Sequence, residues 1–209
     1  MIDFDHPVIS MRQEVFEILS RHGYRGNLFV NTGMLDEMYR KPLLPVGERP
    51  CMTWEELAEL MEAGWGIGGH TVTHPNLSEL SKRDPTGEKI RAELLANNEA
   101  LRRHLGRAPR DFAFTGTSWS CVAEREVQKL YRFGRLWIVG AEYEADGAKI
   151  RYADLAGVSG DDEADGGPPA AARYITRETP AHRLPSMEIE GLIYERDAFR
   201  RYLEGASGA

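Results

Sequence analysis

The sequence predicts an α/β fold built as one domain over residues 1–209, and two observations carry that prediction. Short apolar runs alternate with stretches whose apolar residues recur every three or four positions, the order that lays helices against a mostly parallel sheet. No internal repeat or second domain is visible. With 42% hydrophobic residues, a chain of 209 residues can bury one such core.

The elements follow in order. Ile2 to Asp5 reads as a first strand, and Met11, Val15, Ile18, Leu19 and His22 then recur at helical spacing. GNLFVN, from Gly26, reads as a buried strand, and RKPLLPVGERP after it as a loop without periodicity. Thr53 and Glu56 form a capping box that opens a helix carrying Trp54, Leu57, Leu60 and Met61 on one face. EAGWGIGGH turns through Gly64 into a third strand. A longer helix follows, with Ile90, Leu94, Leu95, Leu101 and Leu105 assigned to its buried side. DFAFTG from Asp111 reads as a strand, Val122 to Tyr131 as a helix and RLWIVG from Arg135 as a strand. From Gly160 the acidic, Gly- and Pro-rich GDDEADGGPPAAA reads as a mobile loop. Strand-like segments near Tyr174 and Met187 and a helix from Arg196 to Leu203 complete the chain.

Composition excludes several classes of function. A formal net charge of −7 gives no basic stripe for nucleic acid. No run of about 18 apolar residues would span a membrane. No leader of basic and then apolar residues is visible, so a cytoplasmic location is expected. Cys51 and Cys121 lack the paired spacing of a zinc site and read as ordinary thiols.

The chemistry concentrates in GGHTVTHPNLSEL, Gly68 to Leu80. On a continuous strand, His70 and His74 would stand roughly 13 Å apart, too far to share an ion. On a turn they share a face and can chelate. Gly68 and Gly69 let the chain leave the strand sharply, and Pro75 limits how the turn continues. The pattern therefore predicts a short turn at a strand end with both imidazoles aimed at one point. A bare pair of histidines at this spacing is common by chance, and the alternative is two polar residues in an exposed loop.

The context changes that balance. MTWEELAELMEAGWGIGGHTVTHPNLSEL resembles the second motif of NodB-type polysaccharide deacetylases, the fourth carbohydrate esterase family. In that family the strand ends in Gly or Ser, followed by His-Thr-x-x-His-Pro and a Leu two residues later. GNLFVNTGML resembles its second strand, and the likeness extends from residue 2 to about residue 116. The resemblance implies a distorted (β/α)7-type barrel with its chemistry at the carboxyl ends of the strands.

It also implies roles for residues near the amino terminus. The family carries Phe-Asp-Asp at the end of the first strand, the first Asp acting as general base and the second as third metal ligand. Here the stretch is Phe4, Asp5, His6, which aligns Asp5 with the base and puts His6 at the metal position. A set of His6, His70 and His74 would leave a fourth position for water, and imidazoles suit one divalent ion: zinc first, with cobalt, nickel or manganese as alternatives. A second registration makes Asp5 the ligand and Asp3 the base; Phe4 favours the first. Capping of the following helix is the other reading of Asp5.

Two parts of the family pattern are altered. Where it has an aromatic-Pro stretch whose backbone helps to bind the oxyanion, this chain has Phe114, Thr115, Gly116 and Thr117. Thr115, Gly116 and Thr117 are the oxyanion candidates; Thr115, Thr117 and Ser118 could instead end the strand and cap the next helix. The family's acid, a histidine in a late Leu-x-His strand, has no counterpart. His182 in PAHRLPSMEIEG is the late histidine left for that role, and Arg183 to Pro185 would wall the pocket.

The expected activity is thus removal of an N-acetyl or N-formyl group from an amino sugar. The expected partner is an N-acylated sugar, nucleotide-linked or lipid-linked if the enzyme is cytoplasmic. Two other readings stay open: hydrolysis of another non-peptide C–N bond on the same fold, and a catalytically silent member that binds carbohydrate.

Overall fold

The computed structural model describes residues 1–39, 48–116, 118–137, 140–145, 148–153, 175, 177, 179–186, 200 and 203–204. Most of the loop expected at 40–50, the acidic loop from Gly160, the strands expected at Tyr174 and Met187 and most of the helix expected at 196–203 lie outside the described residues, as does Thr117. The chain forms two compact units, residues 1–75 with 88–113, and residues 76–87 with 114–209.

The first unit is a parallel sheet with helices packed on it. Strands β1 (Asp3–Asp5), β2 (Asn27–Val30), β3 (Gly66–Gly69) and β4 (Asp111–Ala113) neighbour one another in that order. Asp5 pairs with Phe29, Val30 with Gly69 and Gly69 with Phe112, all parallel. β3 is rich in glycine for a steric reason. A Cβ on Gly68 would lie 2.4 Å from the Phe29 ring, which crosses the strand there.

Met11–Val15 winds as a π-helical segment that runs into α1 (Phe16–Arg21). The wider π turn rotates the apolar face by about one residue. Phe16 joins Met11, Val15 and Leu19 against the core, and Ile18, expected inside, is 49% exposed. The chain then adds α2 (Thr32–Tyr39), which the sequence reading did not anticipate. Helix α3 (Trp54–Glu62) starts at the expected capping box, and Trp54, Leu57 and Leu60 are buried.

Helix α5 (Glu88–Leu105) buries Ile90, Leu94, Asn97, Ala100, Leu101 and Leu105. Leu95, assigned to this face, is 48% exposed. At about 100° per residue Asn97 falls in line with Leu94 and Leu101, and Leu95 falls outside the stripe. A polar residue therefore occupies the centre of an apolar face. Leu28, Val30, Leu35, Met52, Leu57, Leu60, Trp65 and Leu101 form the core between these helices and the sheet.

The second unit holds α4 (Leu77–Arg83), α6 (Cys121–Gln128) and strands β5 (Phe133–Trp137), β6 (Gly140–Ala145), β7 (Ala148–Ala153) and β8 (Leu184–Ser186). β5 and β8 are parallel, and β6 and β7 form an antiparallel pair. Helix α4 and the β6–β7 pair were not anticipated. Both have signals in the sequence: Asn76 with Glu79 is a cap pattern, and Asp146-Gly147 is a hairpin pattern. Asn76 does cap α4, accepting from the Glu79 N–H at 2.8 Å. Neither Cys51 nor Cys121 is in a disulfide.

One ion pair secures the start of α3. Glu56 accepts from the Thr53 N–H at 2.8 Å and receives both arms of the buried Arg49 guanidinium, at 2.9 and 2.7 Å. Burial works against its charge, but Arg49 and the Thr53 N–H outweigh it and hold the carboxyl below its ordinary range. Replacing Glu56 by Ala should cost about 2–4 kcal/mol, because it removes the cap and strands a buried cation. The depressed carboxyl stabilises the fold fully above its unfolded pKa of about 4.3, and this is lost as pH falls through the lower folded value. Urea unfolding of the wild type and Glu56→Gln should therefore show a constant gap from about pH 5 upward that closes in acid.

Candidate metal centre

Parallel register brings the carboxyl ends of four strands to one place. β1 stops at Asp5, β2 at Val30, β3 at Gly69 and β4 at Ala113; His6, Asn31 and His70 follow the first three directly. In a straight strand Asp5 and His6 would point to opposite faces. His6 instead has φ 67°, and this left-handed step breaks the alternation.

The three imidazoles converge. Ring centroids of His6 lie 5.2 Å from His70 and 4.9 Å from His74, and those of His70 and His74 are 4.8 Å apart. One nitrogen from each lies within 4.8 Å of the others, a grouping that can hold one metal ion. His70 is fully buried, and His6 and His74 are half-buried.

Hydrogen bonding sets which nitrogen of two rings carries the lone pair. The His70 Nδ1–H donates to the Ala113 carbonyl at 2.8 Å, and the His6 Nδ1–H donates to Asn31 Oδ1 at 3.0 Å. Each neutral ring then keeps its lone pair on Nε2, the arrangement by which an outer oxygen fixes a metal-binding histidine. Burial pushes the His74 pKa down, and the nearby His6 lowers it further; Asp5 and a backbone hydrogen bond pull the other way without reversing the shift. A neutral His74 is a ligand without first losing a proton. The donor set, its tautomers and its burial all fit a divalent cation.

The turn that presents His74 is strained. Among the described residues, the non-glycine residues with positive φ are His6, Thr71 and His74, all in this cluster. Each such residue costs roughly 1–2 kcal/mol, and the β-branched Thr71 is the least suited to it.

Side chains and a helix end compensate by taking up the turn's backbone groups. Thr32 N–H donates to the Thr71 carbonyl at 3.2 Å, and Gly33 N–H to the Val72 carbonyl at 3.0 Å. Glu93 Oε2 accepts from the N–H groups of Val72 and Thr73 at 2.9 and 3.0 Å, and Oε1 accepts from the Thr73 hydroxyl at 2.8 Å. Thr71 Oγ1 accepts from the His74 N–H at 3.1 Å. Asn97 Nδ2 donates to the carbonyls of Thr71 and, at 2.9 Å, Val30. The sequence reading missed Glu93 and Asn97. The available signal was a polar residue on the apolar stripe of α5 with an acid one turn before it.

The remaining sequence-predicted residues are placed as follows. Asp5 acts electrostatically on His74, and the cap position before the first helical segment is Ser10 rather than Asp5. Asp3 sits at the start of β1 and accepts from Asn27 Nδ2 at 3.0 Å. Thr115 and Gly116 belong to the second unit. There the Ser118 hydroxyl donates to the Thr115 carbonyl at 2.6 Å, and Gly116 takes φ 58°.

Capping by Thr115 or Ser118 does not occur at α6: its cap is Ser120, which accepts from the Ala123 N–H at 3.0 Å. Ser118 instead accepts from the Leu77 N–H at the start of α4. In the same unit His182 Nε2–H donates to the Tyr131 carbonyl at 2.9 Å. Arg183 pairs with Glu124 at 2.7 Å and lies over the Trp119 ring.

Three imidazoles gathered at the carboxyl ends of parallel strands form a candidate site for one metal ion. A model of the polysaccharide deacetylase family matches residues 1–132, and the chain belongs to that family. The family match and the histidine cluster support a metal-dependent, deacetylase-type hydrolase acting on carbon–nitrogen bonds.

Solved structures share the fold. The deacetylase PplD of Streptococcus pyogenes, in complex with acetate, is 18% identical with a TM-score of 0.56, over 80% of this chain and 69% of that one. The BpsB deacetylase domain of Bordetella bronchiseptica is 18% identical with a TM-score of 0.56, over 66% and 63%. IcaB of Ammonifex degensii is 20% identical with a TM-score of 0.54, over 66% and 59%. The α/β fold with a distorted (β/α)-type barrel, expected from the sequence, is the fold these structures have. No match is found among curated proteins.

Gly33 meets the metal turn directly. A Cβ there would lie 2.5 Å from the Val72 carbonyl oxygen, so one of the two segments must move. Gly33→Ala should destabilise the fold by about 1–3 kcal/mol. It should also lower the metal content of the purified protein, measured by elemental analysis beside wild type. Unchanged metal content would mean that the turn tolerates the shift.

Proposed function

We propose that this protein removes an N-acetyl or N-formyl group from an amino sugar, with His6, His70 and His74 holding zinc and Asp5 acting as general base. The observation that carries this reading is the convergence of three lone-pair-bearing imidazoles beside a carboxylate. A bound divalent ion would polarise the acyl carbonyl and lower the pKa of water. The chain's own residues do the rest.

The Ala113 carbonyl and Asn31 orient His70 and His6, and burial keeps His74 neutral. Asp5, whose charge acts on His74, accepts the proton of the attacking water. The two remaining assignments rest on sequence alone: an N–H at Thr115 or Gly116, or at the neighbouring Thr117, for the oxyanion, and His182 as the acid that protonates the leaving nitrogen. For His182 this requires Nδ1 to carry the proton, or Nε2 to leave Tyr131.

The test combines metal analysis with acyl release. Purified protein should contain close to one zinc per chain, and His70→Ala should contain almost none. A panel of free, nucleotide-linked, lipid-linked and polymeric N-acetyl and N-formyl amino sugars should show release of acetate or formate from at least one class. Asp5→Asn should keep its metal and lose on the order of 10²–10⁴ in kcat. Zinc-loaded protein that releases nothing from the whole panel would sink the proposal.

A further inference from the structure

The turn from Thr71 to His74 bears a ligand at its end, carries two strained residues, and belongs to no helix or strand. Glu93 and Asn97 are one turn apart on α5 and face it together. Glu93 takes three of the turn's donors: two backbone N–H groups and one hydroxyl. Asn97 is fully buried and ties the Thr71 carbonyl to the Val30 carbonyl at the end of β2. An amide buried on an otherwise apolar stripe is unfavourable unless its hydrogen bonds do something that packing cannot.

We propose that Glu93 and Asn97 are positioning residues for the metal centre. They hold the His70–His74 turn in its strained, ligand-ready shape before any ion arrives, so binding energy is not spent on ordering the turn. This rests on the reading that His6, His70 and His74 bind a divalent metal. Without the clamp, the backbone N–H groups of Val72 and Thr73 would turn to water, Thr71 would leave positive φ, and His74 would swing away from His70.

The experiment uses the full chain and Co(II) as the probe. Cobalt is titrated into metal-free wild type, Glu93→Ala, Glu93→Gln and Asn97→Ala, and hydrogen exchange of the Val72 and Thr73 amides is measured without metal. In Glu93→Ala those amides should lose protection, and the cobalt dissociation constant should rise roughly 10–100-fold. Glu93→Gln keeps an acceptor for both N–H groups and should recover most of the affinity, a rescue that a general loss of stability would not give.

Glu93 is half-buried, so its variants carry the test even if Asn97→Ala does not fold. Equal cobalt affinity in Glu93→Ala and wild type, or unchanged protection of the two amides, overturns the proposal. Wild type that takes up no cobalt overturns the metal site itself, a result distinguishable because it appears before any substitution.

Discussion

The backbone of residues 71–74 leaves the sheet and must find partners for its N–H and C=O groups elsewhere. Buried or half-buried peptide groups left without partners would each cost about as much as a lost hydrogen bond. Here they are taken up by the first N–H groups of α2 and by side chains of α5. Those two helices are held in turn by the core that contains Leu35, Ala100, Leu101 and Leu105. The position of His74 is therefore set by packing some distance away, transmitted through ordinary hydrogen bonds. His70 needs less support, because it follows β3 directly and its ring is fixed by the neighbouring strand's Ala113 carbonyl.

The same arrangement governs the electrostatics. Burial disfavours protonation of His74, and the nearby His6 acts in the same direction. Asp5 opposes that effect without reversing it. His74 is thus biased toward the neutral ring, the form that binds a cation.

Much of this was legible in the sequence, and what was legible shares a physical character. The strand at Ile2 to Asp5, the capped helix at Thr53 and the turn at His70 to His74 are local features with local causes. Register, tautomer and clamp are not. Nothing in the neighbourhood of Glu93 announces that its carboxylate reaches residues some twenty positions earlier. Leu95 reads as core by hydrophobicity and is displaced from it by helical phase. Ile18 is displaced by a π turn whose cause is not visible in composition. Asn97 was missed although a signal existed, a polar residue on the apolar stripe of α5.

Position 6 shows how backbone conformation limits the chemistry a site can explore. The family pattern places an aspartate there, and this chain has histidine. The residue adopts φ 67°, a region in which Asn, Asp and His are enriched and branched or bulky residues are strained. Of those three, Asp and His are strong ligands for a divalent cation, so the exchange of one for the other keeps both the turn and the capacity to bind. It does not keep the charge. A donor set of three neutral imidazoles offsets none of a cation's two charges, whereas one with a carboxylate offsets one. Asn31 then matters in a way it would not beside an aspartate, because an imidazole must be told which nitrogen to present and the Asn31 oxygen does this through His6 Nδ1. A more electrophilic cation should acidify water further and depend less on the strength of its base. Under the proposed function, a base at position 5 would then need little strength of its own.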